Sequence, residues 1–329
     1  EDDEPRATAP LRLDNPVSTP DAEDDAAGDD SLSALIRDSA RKTVKMASPA
    51  RALLTEREVI IEERNMRVEN DPGALFREQS QAALYLNHPY GTPIIGWRHE
   101  MESLDLDDAL SFYHKYYAPN NAILIVAGDV EPEEVLRLAK EYYEPLAPNP
   151  ELGDRDRASE PRQLAERRMT YRDPRVSTPY VTRTYLAPER DPGDQEKAAA
   201  LEILSQILGG GQTSVLNQRL QFDLKKAVYT SAYYGGVSLD DTTFGLVVVP
   251  APGVSLEDAE KEMDATIQAF IENGVDEKQL ERIKFQMKAA RIYEQDDVSR
   301  LARRYGDALT SGLTIEDVQA WPELLQSIT

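Results

Sequence analysis

The chain of 329 residues contains no cysteine. Disulfide bonds and thiolate-ligated metal sites are therefore excluded, and the redox state of its compartment stays open. It also has no apolar run near the ~20 residues that a membrane-spanning helix needs. Basic residues are few: 37 lysines and arginines face 60 acids, so the formal net charge is −23. Nucleic acid is therefore not expected as a partner, because binding to phosphates needs a basic surface.

The first part of the chain differs from the rest. Residues 1–30 hold eleven acids against Arg6 and Arg12 and few large apolar side chains, which is typical of disordered segments. Residues 31–53 are ambiguous, and a short basic helix is one possibility. We therefore assign residues 1–53 to an acidic segment, disordered or outside the patterned protein.

From Leu54 onward, apolar residues recur with helical or strand periodicity. In the first half the pattern predicts helices over about 55–70, 74–86, 106–116 and 132–143, a buried strand over 121–127, and a proline-rich linker over 145–161. In the second half it predicts strands over 179–185, 226–235 and 242–250, and helices over 195–208, 255–273, 276–294 and 297–311.

A weak internal repeat relates the two halves. Glu56-Arg57 with Val68-Glu69-Asn70-Asp71 matches Glu281-Arg282 with Tyr293-Glu294-Gln295-Asp296 at a constant offset of 225 residues, and the run from Leu104 separately resembles that from Leu313. The repeat predicts an α+β fold of two related domains, at 54–160 and 161–329, each a mainly antiparallel sheet packed with helices. We expect the first copy to lack its opening and the second to be truncated at its end.

The first patterned helix carries two carboxylates on one face. On a 100° wheel this face holds Glu56, Val59, Ile60, Glu63, Met66 and Arg67. A carboxylate that packs inward must be paired, hydrogen-bonded or bound to metal. The alternative is an amphipathic helix whose glutamates lie at the edge of the buried stripe and meet arginine or water.

Several runs, in their order and spacing, together resemble the pitrilysin/insulinase-type (M16) zinc metallopeptidases, most closely the bacterial branch similar to mitochondrial processing peptidase. The resemblance covers about residues 54–329. The runs are Glu56-Arg57-x-Val59-Ile60-x-x-Glu63, Arg67-x-Glu69-Asn70-Asp71-Pro72, Asn87-His88-Pro89-Tyr90-Gly91-x-Pro93-x-x-Gly96, Tyr116-Tyr117-Ala118-Pro119-Asn120-Asn121-Ala122, Val126-Ala127-Gly128-Asp129-Val130, Leu208-Gly209-Gly210-Gly211-x-Thr213-Ser214 and Pro250-x-Pro252-Gly253-Val254.

The resemblance implies a zinc ion held by two histidines and a glutamate. The histidines belong to an inverted His-x-x-Glu-His motif whose Glu is the general base, and the third ligand lies later in a Glu-x6-Glu spacing. That spacing occurs here as Glu56…Glu63, so the resemblance assigns the ligand to Glu63 and a supporting carboxylate to Glu56. Such a ligand set leaves the fourth tetrahedral position to a water whose pKa the metal lowers towards ~7.

The chain departs from this family at the decisive motif, because it contains no His-x-x-Glu-His. Its histidines are His88, His99 and His114, and none has the required spacing. We interpret His88 as structural, His99 as part of a polar loop and His114 as a surface or core-edge residue. We expect this chain neither to hold zinc tightly nor to hydrolyse peptides by itself.

A second group of candidates lies in the other half. Gly209, Gly210 and Gly211 lack the Gly-Lys-Ser/Thr ending of a phosphate loop and follow a helix, which favours a helix C-cap over a role in handling substrate. Arg219 and Tyr229 are further candidates for contacting a peptide. Lys288 takes the position that the repeat gives to Glu63, which suggests that the second copy has no metal site.

Three hypotheses follow for function. The first is a fragment of a zinc metalloendopeptidase, inactive by itself, whose substrates are extended polypeptides bound along a sheet edge. The alternative is a non-catalytic peptide-binding subunit that forms a homo- or heterodimer with a homologous peptidase chain. The third is an acidic protein without activity. The resemblance favours a periplasmic or secreted location.

Overall fold

The computed structural model describes residues 32–39, 50–153, 157–294 and 296–329. Residues 1–30, for which disorder is predicted, lie outside these ranges. Residues 32–39, within the ambiguous segment, form helix α1, and Ile36 is buried. The Ser33 hydroxyl hydrogen-bonds the Tyr142 hydroxyl at 3.0 Å, so α1 is held against the helix that contains Tyr142.

The described part of the first half is helical. Its helices are α2 (Ala50–Arg64, continued by a π-helical turn, Asn65–Glu69), α3 (Pro72–Leu84), α4 (Arg98–Ser103), α5 (Leu106–Tyr116) and α6 (Pro132–Tyr143). Local sequence sets their starts. The Asp71 side chain accepts a hydrogen bond from the Gly73 amide at 2.7 Å before α3, and Asp105 and Asp108 form a capping box at α5.

The second half contains the sheet. Its elements are β1 (Val181–Ala187), α7 (Glu196–Gly209), β2 (Ala227–Tyr234), β3 (Thr242–Pro250), α8 (Leu256–Asn273), α9 (Glu277–Glu294), α10 (Val298–Thr310) and α11 (Ile315–Ser327), with a π-helical turn at Asn217–Asp223. The strands are antiparallel in the order β1-β3-β2. Leu246 and Val248 of the central strand pack with Met263 of α8 in the main core. The predicted α+β fold class is therefore confirmed.

The repeat is also visible in the structure. Helix α11 begins with a capping box formed by Thr314 and Asp317, at the position equivalent to the Asp105–Asp108 box of α5. Sequence analysis missed α11 as a helix, and it also missed α4, which it treated as loop. No helix among the described residues is long and apolar enough to cross a membrane.

The strand predicted over 121–127 is wrong. Residues 122–127 form no strand, and Ile123 and Leu124 are 50% and 41% exposed. An extended apolar segment becomes a strand only when a neighbour completes its hydrogen bonds, and none lies beside it among the described residues. The antiparallel sheet predicted for the first domain is likewise absent from the described part of that half.

The two halves meet at a loop that contains His88. His88 is buried, and its Nε2 lies 2.9 Å from Oδ2 of Asp240, while its Nδ1 accepts from the Tyr90 amide. The Glu160 carboxylate accepts hydrogen bonds from three consecutive amides, Leu86, Asn87 and His88. These contacts fit the structural role predicted for His88.

Candidate functional site on helix α2

One side of α2 is anchored to the first half. Arg57 donates to the carbonyls of Glu102 and Leu104 at 3.3 and 3.4 Å. Arg64, only 3% exposed, forms a two-pronged pair with Glu78 at 2.8 and 3.0 Å and donates to the Gly96 carbonyl. Hydrogen bonding to Glu78 is the main cause that raises the pKa of Arg64. This side of α2 is fixed against α3 and α4.

The adjacent side of α2 and of its π-helical continuation carries the predicted site residues and faces solvent. Val59, Ile60 and Met66 are 55%, 38% and 64% exposed, and Glu56 is exposed as well. The expectation of a buried stripe is therefore wrong for the described residues. An apolar helix face of this kind is typical of a surface that another segment or protein covers.

Glu63 lies on this exposed face. Its Oε1 is 2.9 Å from Nη2 of Arg67, one turn further along the helix, and its side chain is 38% exposed. Exposed pairs of this kind contribute about 0–1 kcal/mol to stability. The Glu63 carboxylate therefore pairs with an arginine, as the amphipathic alternative predicted. A partner that binds this carboxylate more strongly can displace Arg67 at little cost in stability.

The side chains of the described residues do not form a zinc site. Throughout the described ranges, no group of three or more His, Asp or Glu is placed to hold a metal ion. His88 is committed to Asp240 at the junction, and His99 and His114 lie at exposed positions. One carboxylate does not replace the three protein ligands of a catalytic zinc site, so we assign no catalytic step through zinc to this chain.

The glycine run of the second half has a packing role. Helix α7 ends at Gly209, and a Cβ added to Gly209 would lie 1.9 Å from the Ala232 backbone nitrogen. Gly210 forms the C-cap of the helix, while a Cβ on Gly211 would meet no heavy atom within 4 Å. The run therefore lets α7 end in close contact with β2.

The remaining predicted residues lie on neighbouring surfaces. Arg219 belongs to the π-helical turn Asn217–Asp223, where its Nη1 lies 3.7 Å from Oδ2 of Asp223. Tyr229 lies on β2 and is exposed, as is Lys288 on α9. The structure does not bring these residues together with Glu63 through any described contact. Sequence analysis overlooked the Arg64–Glu78 anchor, since only spatial proximity identifies that pair.

Comparisons with known proteins place this arrangement in a family. The model of the family described as "Peptidase M16 inactive domain" matches residues 103–287, more than half of the chain. Zinc protease PqqE of Helicobacter pylori is 29% identical over 264 residues, which are 78% of this chain and 57% of that protein. The chain thus spans about half the length of the curated relatives that it matches.

Solved structures show the same fold. A protease from Helicobacter pylori superposes with a TM-score of 0.82 at 25% identity, covering 91% of this chain and 72% of that one. The first half of the periplasmic protease PqqL from Escherichia coli superposes at 0.72 with 18% identity, covering 91% and 64%; at this identity the likeness shows the fold alone. The chain belongs to the M16 peptidase family, and its residues 103–287 match the part described as the inactive domain.

Proposed function

We propose that this chain supplies one metal ligand, Glu63, and the non-catalytic domain of an M16 zinc metalloendopeptidase, and that it hydrolyses no peptide by itself. The observation that supports this most is the exposed face of α2, where Glu63 lies among Val59, Ile60 and Met66. The two histidines and the general base would come from a covering segment, in the same protein or in a partner.

The residues of this chain have distinct roles in such a centre. The zinc ion, when bound, would activate the attacking water and polarise the peptide carbonyl. Arg64 and Glu78 join α2 to α3 and so hold in place the helix that carries Glu63. Glu56 lies seven residues earlier, about 10 Å along the helix axis, which is too far for the same ion. It would instead act through its charge and through hydrogen bonds.

A polypeptide substrate would bind as an added strand. Among the described strands, β1 pairs only with β3, and a cleft of about 1380 Å³ runs beside it, lined by residues 160–173 and by β1 itself. The cleft favours peptide binding along the β1 edge rather than along the β2 edge. Peptide contact by Arg219 and Tyr229 remains a prediction. The periplasmic or secreted location that the family resemblance favours remains a prediction.

The test first measures the intact mass of the gene product isolated from its source. It then compares the Glu63→Gln variant of that product with its Glu62→Gln variant. Glu62 is also exposed, but it bonds Asn65 at 3.0 Å on another face of the helix. If the intact product carries His-x-x-Glu-His, we expect Glu63→Gln to lose zinc and at least about a hundredfold in activity. Glu62→Gln should keep both. Full zinc content and activity in Glu63→Gln would refute the ligand assignment.

The alternative, a peptide-binding subunit that pairs with an active homologue, shares the exposed face of α2 as its support. A mass equal to that of this chain, with recovery of a homologous chain that carries the histidine motif in a pull-down, would select it. Peptide hydrolysis by this chain alone would contradict both forms of the proposal.

A further inference from the structure

A pocket of about 370 Å³ lies in the second half, between the end of α9, helices α10 and α11, and the loop after β1. We call it the arginine pocket, after five of its lining residues: Arg190, Arg291, Arg300, Arg303 and Arg304. The acids in its lining are Glu294 and Asp307, which leaves an excess of three positive charges. Such an excess is unexpected in a chain with a net charge of −23.

Arg190 is the buried cation of this pocket. It is 7% exposed, its guanidinium carbon lies 3.7 Å from the ring centroid of Trp321, and its Nε donates to Gln195 at 2.8 Å. Its Nη2 is buried and has no hydrogen-bond partner among the described residues. A buried guanidinium without a bonded anion is costly, so the uncompensated charge of Arg190 adds to the positive potential of the pocket that it lines.

The carboxylates around Arg190 do not supply a bonded anion. Asp317 and Glu202 attract it electrostatically, but neither lies within ion-pair distance, and the oxygens of Asp317 accept from Gly193, Gln195 and Thr314. Burial is the main cause that lowers the pKa of Arg190 to about 10. The folded protein therefore stabilises this charge less than water does.

The other arginines divide into two groups. Arg304 pairs with Glu294, and Nε of Arg300 lies 3.0 Å from Oδ2 of Asp297. Within the described ranges, no carboxylate forms an ion pair with Arg291 or Arg303. Burial, followed by repulsion from Arg304, lowers the pKa of Arg291. Together with Arg190, these make three guanidinium groups without a bonded counter-charge.

The geometry points to a bound phosphate-bearing small molecule in the arginine pocket. Guanidinium forks match the oxygens of phosphate, and its two negative charges offset the local excess better than the single charge of a carboxylate does. The volume lies within the range of small-molecule sites. This inference does not depend on Glu63 or on zinc.

The test is calorimetric titration of the purified chain with inorganic phosphate and with pyrophosphate, at constant pH and ionic strength, beside thermal unfolding in the same buffers. We expect both anions to bind and to raise the unfolding temperature above that in chloride. Arg291→Gln and Arg303→Gln, which leave the buried Arg190 in place, should each weaken binding by about tenfold or more.

The matched control is Arg137→Gln, which removes one arginine charge on α6, outside the pocket lining. It should bind the anions as the unaltered chain does. Three results would overturn the assignment: no binding of either anion, unchanged affinity in both pocket variants, or citrate binding as tightly as pyrophosphate. An equal loss of affinity in Arg137→Gln would show that net charge alone explains the effect, and it would also overturn the assignment.

Discussion

The pair of Arg64 and Glu78 holds α2 against α3, and replacing Arg64 by methionine tests this directly. Methionine keeps most of the apolar stem but removes the four hydrogen bonds of the guanidinium group, two to Glu78 and one each to Glu69 and the Gly96 carbonyl. The side chain of Glu78 is only 7% exposed, so its carboxylate would stay buried without a counter-charge.

Removing one member of a buried ion pair costs about 3–5 kcal/mol. We therefore expect Arg64→Met to lower the unfolding free energy of the first half by that amount. The double variant Arg64→Met, Glu78→Leu should recover a large part of the loss, because an apolar pair leaves no stranded charge. The control is Arg137→Met, whose pairs with Glu134 and Glu141 are exposed, so this change should lower the stability far less.

Hydrogen exchange of the α2 and α3 amides measures the loss locally. A cost below about 1 kcal/mol in Arg64→Met, similar to the control, would show that this pair does not anchor α2. A double variant that is less stable than Arg64→Met would refute the argument that Glu78 destabilises the fold when it is buried without a counter-charge.

Three further predictions concern other parts of the chain. Gly209→Ala should destabilise by at least about 2 kcal/mol in urea titrations, because the new Cβ would lie 1.9 Å from the Ala232 nitrogen; Gly153→Ala, in open space, is the control. Burial raises the pKa of Glu160, but amide hydrogen bonds from residues 86–88 outweigh it and hold that pKa below 4.5. The ionised Glu160 carboxylate therefore stabilises the folded state at pH values above about 4.5. The difference in unfolding free energy between the unaltered chain and Glu160→Gln should be full at neutral pH and shrink as the pH falls below about 4.5. A difference that does not change with pH would contradict this. In the isolated chain, Glu63→Gln should change stability by about 1 kcal/mol or less in thermal unfolding.

Much of the fold could be predicted because short-range signals specify it. Helices α5 and α6 and strand β3 begin and end where periodicity and capping residues predicted. Capping and periodicity act between residues a few positions apart, so no knowledge of the rest of the molecule was needed. The candidate ligand Glu63 came from the resemblance, and it remains a prediction.

The arginine pocket had only a faint signal in the sequence. Arg300, Arg303 and Arg304 recur at helical spacing on α10, which marks a basic face but not a pocket. Arg190 and Arg291 come from distant parts of the chain and join that face only when β1, α9 and α11 pack together. Arg190 and Arg291 have no bonded carboxylate among the described residues, and this could not be recognised before the fold was known.

The sequence by itself determined the strands of the second half and its helices other than α11, the family, and the lack of the histidine motif, since these depend on residue identity and local order. Only the tertiary structure decided that 122–127 has no neighbouring strand among the described residues, that the Glu63 face of α2 is exposed, and that five arginines line one pocket. These properties depend on which segments lie beside each other, and hydrophobic periodicity reports that a face is apolar without reporting what covers it.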